Sequence, residues 1–442
     1  MRLRATVAAA VLFASSLVAS SLAAHAAMKI SFWHAMTGAN ADVITRLTQE
    51  FNASQNDFQV VPVYKGPYAD TMNAGIAAFR SGRAPDILQV FDAGTATMTA
   101  FRGAIKPVED LMRETGERFD PDGYLPSVVS YYSTVDGGML SLPFNSSSMV
   151  MWVNLSAFRA AGLDAGHLPR TWPDVFDAAR KLRATVAPTC GFSSAWITWA
   201  LIEQFSAWHN LPVATQANGI AGPGAELVFN GPMQERLLAS LVELQGDRTF
   251  DYSGRTDGGE PRFLSGECPI FLTSSGFYGA VKANAKFDYV AAPMPYFPDV
   301  ADAPQNSIIG GASLWVMGGR NARQNLGVAR FFAYISDVDR QVALHKESGY
   351  LPITRAALRE IRNSGFYALV PSLEVPLLEI TNRPPTVNSR GLRLGNLVQI
   401  RDVWAEEIEA ALKRQKSAKD ALDAAVLRGN VLLRRFENAQ TR

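Results

Sequence analysis

The stretch KISFW at residues 29–33 opens a regular alternation of strand and helix, and this alternation indicates the fold class. Two more apolar stretches follow it, FQVVPVY at 58–64 and DILQVF at 86–91. Between the three stretches, helical spacing of apolar residues predicts one helix from about Asp42 and another over 70–80. Strands and helices that alternate through short loops are typical of an α/β domain with parallel strands.

The segment LSLPFNSSSMVMWV at 140–153 breaks this alternation, because two apolar strands flank a polar Asn-Ser-Ser-Ser insert. We interpret it as the first crossing of the chain from one lobe to a second. A further α/β region follows, and IIGGASLWV at 308–316 returns to the pattern of a buried strand. The sequence therefore predicts two lobes that the chain visits in turn. The first lobe is expected over 27–146 and 306–352, and the second over 147–305 and 353–442, the last part including the C-terminal helices.

The N-terminus has the pattern of a secretory signal peptide. Arg2 and Arg4 precede an apolar run over 5–23, and Ala24-His25-Ala26 matches a cleavage site. A transmembrane anchor is the alternative, and it fits less well because the run is short and rich in alanine and serine. We predict a signal peptide over 1–26, cleaved on export, and a mature protein in the periplasm.

Composition and charge exclude several kinds of partner. The hydrophobic share of 48%, the charged share of 19% and the formal net charge of +1 are those of an ordinary globular protein. A protein with so balanced a charge produces no long-range electrostatic field that would attract nucleic acid or an anionic membrane. Any anion therefore has to be bound by a local site. The histidines and cysteines lack the spacing of a metal site. Cys190 and Cys268 either form a disulfide, as an oxidising compartment permits, or remain two separate buried thiols.

Several segments match a known family, and the most specific are LPFNSSS at 142–148, TSSG at 273–276, RGLRLGN at 390–396 and QIR at 399–401. On these residues the chain resembles the extracellular solute-binding proteins related to maltose-binding protein. It is most similar to the periplasmic sn-glycerol-3-phosphate receptors of Ugp-type ABC importers, through nearly the whole mature chain. The resemblance implies a type II periplasmic binding protein, in which crossover strands join two α/β lobes and the ligand lies in the cleft between them.

The resemblance also implies a function. The family's receptor captures sn-glycerol-3-phosphate, or a glycerophosphodiester such as glycerophosphocholine, and delivers it to an inner-membrane ABC permease and its ATPase. We therefore expect a monomeric binding subunit without a cofactor and without catalytic activity. Which of the two ligand classes is bound stays open at this point.

A phosphate ester brings negative charge and strong acceptor oxygens, so the cleft has to supply many donors and preferably a guanidinium. Serine and glycine in strand-end loops suit this role, because backbone N–H groups approach an anion closely there. The resemblance assigns the anion to Ser147, Ser274, Gly311 and Arg401, with Tyr68 and Tyr350 as phenolic donors. Arg390 and Arg393 compete with Arg401, which only the family match favours.

The glycerol end of the ligand needs other groups. Asp92 follows the strand DILQVF, where a carboxylate can accept hydrogen bonds from vicinal hydroxyls. The family pattern has glutamate here, so the shorter Asp92 is a departure that puts a strict preference for glycerol-3-phosphate in doubt. Trp196 and Trp199 resemble the aromatic wall on this side, which suits a polyol face or the quaternary ammonium of choline. The alternative is that both tryptophans belong to the core.

Two other functions compete with a phosphate-ester receptor. A maltose-like sugar receptor would share the fold, but a neutral sugar has no need of the paired serine segments and Arg401. An exported hydrolase would need a His/Asp metal cluster, a GxSxG elbow or a phosphate loop, none of which occurs in the sequence. The facing carboxylates of a glycosidase leave no sequence signature. We expect a binding protein and not an enzyme.

Overall fold

A computed structural model describes residues 26–100, 103–187 and 189–440. The predicted signal peptide, apart from Ala26, lies outside the described residues. Within these ranges the structure contains no helix long and apolar enough to cross a membrane. The strands are β1 Met28–His34, β2 Phe58–Tyr64, β3 Ile87–Phe91, β4 Ile105–Lys106, β5 Leu142–Ser147, β6 Met149–Asn154, β7 Phe192–Ser194, β8 Ile270–Ser274, β9 Tyr289–Ala292 and β10 Gly310–Met317.

Helices cover both faces of the strands, as expected of an α/β protein. The longer helices are Gly38–Ser54, Tyr68–Arg80, Thr95–Ala100, Val108–Thr115, Leu155–Ala160, Trp172–Thr185, Pro232–Gln245, Tyr278–Asn284, Ala322–Ile335, Val338–Ser348, Arg355–Asn363, Val375–Ile380, Leu397–Leu412 and Ala418–Gln440. Shorter helical segments are Pro126–Val129, Phe205–Trp208, Glu260–Leu264 and Phe366–Leu369, with a π-helix at Trp199–Gln204 and 3₁₀ turns at Asp92–Gly94, Pro121–Gly123, Ser130–Tyr132, Ser275–Phe277 and Pro371–Leu373.

The first lobe is built on a sheet in the order β2-β1-β3-β10-β4, with β5 paired to β10. Strand β1 is parallel to β2 and β3, which confirms the predicted parallel arrangement for these three strands. Strand β10 is antiparallel to β3 and β5, so the expectation of parallel strands is wrong for this part of the sheet. The reason is that β10 enters the sheet from the second lobe, and no helix of the first lobe precedes it to reverse its direction.

The second lobe is built on a smaller sheet in the order β7-β8-β6-β9. Strand β6 is antiparallel to β8 and β9, and β7 is parallel to β8. Together the two sheets confirm the predicted two-lobed α/β architecture. A disulfide joins Cys190, just before β7, to Cys268, just before β8, with 5.0 Å between the Cα atoms. It decides between the two states that the sequence left open for these cysteines.

The chain crosses between the lobes where β5 ends and β6 begins, and only Ser148 separates the two strands. The polar residues Asn145–Ser147, however, belong to β5 and are buried, whereas the sequence suggested an insert between strands. The return crossing runs beside the first, because the hydroxyls of Ser148 and Ser307 lie 2.6 Å apart. Inside β5, Asn145 accepts a hydrogen bond from Gln89 and donates one to Tyr68, whereas the Ser146 hydroxyl has no partner among the described residues.

The predicted lobe boundary at 352 needs a correction. It separates helix Val338–Ser348 from helix Arg355–Asn363, although these two helices pack together. Thr354 also forms a β-bridge with Tyr124 of the first lobe. The chain therefore leaves the first lobe after Arg355–Asn363. The C-terminal helices Leu397–Leu412 and Ala418–Gln440 pack on each other and on Pro232–Gln245 of the second lobe.

Candidate functional site

A cavity of about 290 Å³ lies between the two lobes. Its lining includes all nine residues that the sequence singled out for ligand binding, namely Tyr68, Asp92, Ser147, Trp196, Trp199, Ser274, Gly311, Tyr350 and Arg401. It also includes residues that the sequence analysis missed, among them Asn40, Tyr64, Asp257 and Glu260. Segments separated by hundreds of residues therefore meet in one crevice, which is where open α/β sheets place a ligand.

Strand ends position most of these side chains. Asp92 follows directly on β3, Ser147 is the last residue of β5, and Ser274 is the last residue of β8. Gly311 is paired with Ser146 across the β5–β10 ladder. The φ angle of Gly311 is +91°, and a Cβ atom built on it would lie 2.0 Å from the carbonyl oxygen of Asn145. Only glycine fits here, and it brings the backbone of β10 to the cavity surface.

Arg401 is held by two carboxylates. Its Nε and Nη2 donate to the two carboxylate oxygens of Glu203 at 2.6 and 2.7 Å, and Nη2 also donates to Oδ2 of Asp92 at 2.5 Å. Both acids are buried, with Glu203 completely inaccessible to solvent. Burial works against the charge on Arg401, but the adjacent Asp92 and Glu203 raise its pKa above the ordinary value. The guanidinium is thus fixed in place, and its Nη1 makes no hydrogen bond with the described residues.

Burial raises the pKa of Asp92 and of Glu203, and the charge of Arg401 opposes that rise. A guanidinium between two carboxylates leaves an excess of negative charge as long as both acids are ionised. Sequence analysis missed Glu203 because it lies on the buried π-helix Trp199–Gln204, 198 residues before Arg401. The available signal was a single acid in the apolar run WALIE at 199–203, where an unpaired carboxylate would be costly.

Two phenols are oriented by amide side chains. The Nδ2 of Asn145 donates to the Tyr68 hydroxyl at 2.8 Å, and the Nδ2 of Asn40 donates to the Tyr350 hydroxyl at 3.2 Å. Because the Tyr68 oxygen already accepts a hydrogen bond, its own O–H is available to a ligand, whereas the O–H of Tyr350 donates weakly to Sδ of Met36 at 3.7 Å. Burial raises the pKa of Tyr350 to about 12, which keeps that O–H protonated at neutral pH. Both tyrosines therefore line the cavity as protonated phenols, and their role toward a ligand stays a prediction.

Aromatic rings form one wall of the cavity. Tyr68 stacks on Phe91 at 5.3 Å with an interplanar angle of 7°, and Trp196 lies 6.4 Å from Tyr68. Trp199 is almost fully buried, and it also belongs to the hydrophobic core. Trp196 is partly exposed and has a φ of +50°, a conformation that non-glycine residues rarely adopt and that tends to occur at functional sites. The two interpretations of the tryptophans are thus compatible, because Trp199 packs in the core and still contributes an edge to the cavity.

Acidic side chains also line the cavity. Asp257 and Glu260 line the cavity, and burial together with the charge of Asp257 raises the pKa of Glu260 to about 8. Arg401 is the one basic side chain among the described lining residues, against the carboxyl groups of Asp92, Asp257 and Glu260. The cavity therefore combines hydrogen-bond donors with an excess of acids. Such a lining suits a polar ligand that carries hydroxyl or cationic groups as well as an anion.

Comparisons with known proteins agree with this architecture. Residues 46–364 match the family described as bacterial extracellular solute-binding protein. The chain is 47% identical over 410 residues to the sn-glycerol-3-phosphate-binding periplasmic protein UgpB of Rhizobium meliloti (strain 1021), covering 93% of this chain and 95% of that one. It is 45% identical over 417 residues to the UgpB protein of Escherichia coli O6:K15:H31, covering 94% and 95% of the two chains.

Solved structures show the same fold at lower identity. The structure of UgpB from Mycobacterium tuberculosis in complex with glycerophosphocholine aligns with a TM-score of 0.78 at 20% identity, covering 92% of this chain and 98% of that one. The maltose-bound MalE3 protein of T. maritima aligns with a TM-score of 0.75 at 18% identity, covering 92% and 100% of the two chains.

Proposed function

Since the chain belongs to the bacterial extracellular solute-binding proteins, we propose that it captures sn-glycerol-3-phosphate or a glycerophosphodiester for an ABC importer. One observation carries the proposal. Hydrogen-bond donors from both lobes, Ser147 and Gly311 on one side and Ser274 on the other, converge with Arg401 on one cavity. Replacing the water around a phosphate group requires such a set of donors.

The donors are arranged to give their protons to a ligand. The hydroxyl oxygen of Ser274 accepts a hydrogen bond from the backbone N–H of Gly276 at 3.0 Å, so its own O–H can point into the cavity. Ser147 is 2% exposed, and its hydroxyl has no hydrogen-bond partner among the described residues. The free Nη1 of Arg401 completes the set. In the proposal, these groups bind the phosphate oxygens, and Asp92 accepts hydrogen bonds from the glycerol hydroxyls.

Contacts from both lobes would couple binding to closure. A ligand that touches Ser147 and Ser274 together favours the arrangement in which the lobes lie close, because the open form offers only part of these contacts. The closed receptor would then dock on the permease and its ATPase as a monomer, after export and removal of residues 1–26. The bound ligand is handed over intact, so no catalytic group is required.

The acidic lining bears on which ligand fits best. Glycerol-3-phosphate is a dianion near neutral pH, whereas glycerophosphocholine carries one negative charge and one quaternary ammonium. Asp257, Glu260 and the ring of Trp196 offer the surroundings that a cationic group prefers. A relative of this fold from Mycobacterium tuberculosis was solved with glycerophosphocholine. We therefore include the diester in the proposal on an equal footing with the monoester.

Isothermal titration with sn-glycerol-3-phosphate, glycerophosphocholine and maltose tests the proposal. We expect saturable binding of at least one phosphate ester and none of maltose. Binding of maltose alone would identify a sugar receptor instead, an outcome that the aromatic wall and the carboxyl groups also fit. Chromatography of the ligand after incubation with the protein should recover it unchanged, and release of glycerol or choline would reveal an enzyme.

A further inference from the structure

Arg390 and Arg393, the two arginines that competed with Arg401 in the sequence, lie outside the ligand cavity. They line a second cleft of about 360 Å³ together with Arg355. Ser130, Ser133 and Thr134 contribute to the same cleft. We call these six residues the arginine cleft.

The arginines of this cleft have no carboxylate partner among the described residues, unlike many other arginines of the chain. Arg255 and Arg428, for example, pair with Glu409 and Glu406. Within the described part of the chain, no carboxylate lies within ion-pairing distance of Arg355, Arg390 or Arg393. The lining contains one acid, Asp122, and Arg355 approaches only its backbone carbonyl oxygen, at 3.3 Å.

Arg393 is the partly buried arginine of the cleft. Its Nη2 donates to the backbone carbonyls of Ser130 and Tyr131 at 3.4 and 3.2 Å, while its Nε is buried and has no hydrogen-bond partner among the described residues. Burial lowers the pKa of Arg393, which is the sign of a charge that has lost water without gaining a counter-ion. A partly buried guanidinium with unused N–H groups is costly by itself and gains strongly from an anion.

The cleft also spans the boundary between the lobes. Ser130 and Arg355 belong to the first lobe, and the hydroxyl of Ser130 has no partner among the described residues. Arg393 is anchored to the second lobe, because its backbone N–H donates to the carbonyl oxygen of Asn218 at 2.9 Å. A small anion in this position would receive donors from both sides.

From this geometry we propose that the arginine cleft is a second binding site, separate from the ligand cavity, and that it takes a small oxyanion such as inorganic phosphate. The three guanidinium groups of the cleft outnumber its one exposed carboxylate and give it a net positive charge. The planar set of N–H groups on each guanidinium can donate paired hydrogen bonds to a tetrahedral oxyanion. The proposal does not depend on the identity of the cavity's ligand.

Isothermal titration of sodium phosphate into the full mature chain in a low-salt, phosphate-free buffer tests this site. We expect saturable binding that Arg390→Ala weakens by about tenfold or more, since the variant removes a charge-assisted hydrogen bond. Arg390 is exposed and has no partner in the part of the chain that the structure describes, so this variant should fold normally. Arg401→Ala should leave the phosphate affinity of the cleft unchanged. Arg435→Ala, which removes another exposed charge, on the last helix, is the matched control.

The outcomes separate the two sites. Absence of phosphate binding to the unmodified protein would overturn the proposal. So would binding that Arg401→Ala abolishes and Arg390→Ala leaves intact, because the anion would then occupy the cavity. Binding that neither variant changes would place it elsewhere on the molecule, also against the proposal. Two binding events, of which each variant removes one, would support it.

Discussion

Arg401 owes its position to Asp92 and Glu203, so removing it has two consequences. Binding of a phosphate ester should weaken by about 2–5 kcal/mol in Arg401→Ala, as when one partner of a charged pair is truncated in a desolvated site. The two buried acids should also lose their counter-ion, which destabilises the fold at neutral pH. Titration calorimetry and urea unfolding measure the two effects, and wild-type affinity in the variant would show that Arg401 does not bind the ligand.

The stability defect of Arg401→Ala should depend on pH. Without the guanidinium, the folded-state pKa values of Asp92 and Glu203 lie even further above their unfolded values. A raised carboxyl pKa contributes stability below the unfolded pKa and loses it as pH rises. The variant should therefore be closest to the wild type at about pH 5 and furthest from it near pH 8. Equal defects at both pH values would contradict the account of the buried pair.

Glu260 should make ligand binding pH-dependent. Its pKa of about 8 keeps it largely neutral at pH 7, and raising the pH through 8 places a new negative charge in the cavity. A dianionic ligand should then bind roughly tenfold more weakly at pH 9 than at pH 7, the effect of about 1.4 kcal/mol of repulsion. A ligand with a cationic end should keep its affinity or bind more tightly.

Glu260→Gln isolates this effect, because it removes the charge and keeps the shape. The variant should show a flat affinity between pH 7 and 9, and Glu360→Gln, at an exposed position on helix Arg355–Asn363, should behave as the wild type. A pH dependence that survives Glu260→Gln would assign the titration to another group.

At the residue scale, the sequence located the cavity through short motifs and missed what supports it. Ser274 and Arg401 stand in segments that are recognisable by themselves. Glu203 is defined only by its hydrogen bonds with Arg401, and Glu260 only by its burial beside Asp257. Contacts between residues so far apart depend on how the lobes pack, and a linear pattern does not contain that information.

At the scale of elements, the start of β10 is the part of the cavity least open to change. Gly311→Ala should destabilise the protein by more than about 2 kcal/mol, because it adds a backbone clash with Asn145 to the strain of a positive φ. It should also weaken ligand binding, since β10 would have to move away from β5. Chemical unfolding and titration calorimetry measure both.

Gly319→Ala is the matched control for Gly311. Gly319 also has a positive φ, of +78°, but an added Cβ atom there meets nothing within 4 Å. The substitution should destabilise the protein by only about 1 kcal/mol, from the backbone strain alone, and leave binding unchanged. Equal losses in the two variants would mean that the clash with Asn145 is not what requires glycine.

The elements themselves could be predicted closely where the pattern is local. Strand β2 was predicted at its observed bounds, and β1 and β3 within one residue at each end. The direction of β10 and the inclusion of Asn145–Ser147 in β5 could not be predicted from the sequence, because both follow from strand pairing across the sheet. In a sequence, polar residues of a buried strand resemble a loop, and only their hydrogen-bond partners in the structure show that they belong to the strand.

At the scale of the whole molecule, both lobes enclose buried histidines, and burial lowers the pKa of each of them: His34 and His345 in the first lobe, and His209 in the second. His209 in the second lobe donates through Nδ1 to the carbonyl of Phe205 at 2.7 Å and accepts at Nε2 from the N–H of Phe297 at 2.9 Å. His345 in the first lobe donates through Nδ1 to the carbonyl of Tyr350 at 2.7 Å. Burial lowers the pKa of His209 and of His345 to about 4.

Both lobes should consequently lose stability in acid. The unfolded chain takes up protons near pH 6.5, whereas His209 and His345 stay neutral in the folded protein until about pH 4, so stability falls as the pH drops through this window. For each of these two histidines the loss at pH 5 is about 2 kcal/mol. Protonating Nε2 of His209 would in addition set its new N–H against that of Phe297. The hydrogen bonds that the neutral histidines make in the folded protein thus disfavour protonation of their side chains.

Urea unfolding of the wild type and of the double variant His209→Gln/His345→Gln, at pH 7.5 and 5.0, tests this account. The buried acids and His34 titrate in both proteins alike, so the difference between them reports His209 and His345. The variant should be less stable at pH 7.5 and should recover about 4 kcal/mol relative to the wild type at pH 5. His167→Gln, at a histidine whose side chain is 90% exposed, should change neither value. Parallel pH profiles would mean that the histidines are protonated in the folded protein, and the single variants would then show which lobe admits the proton.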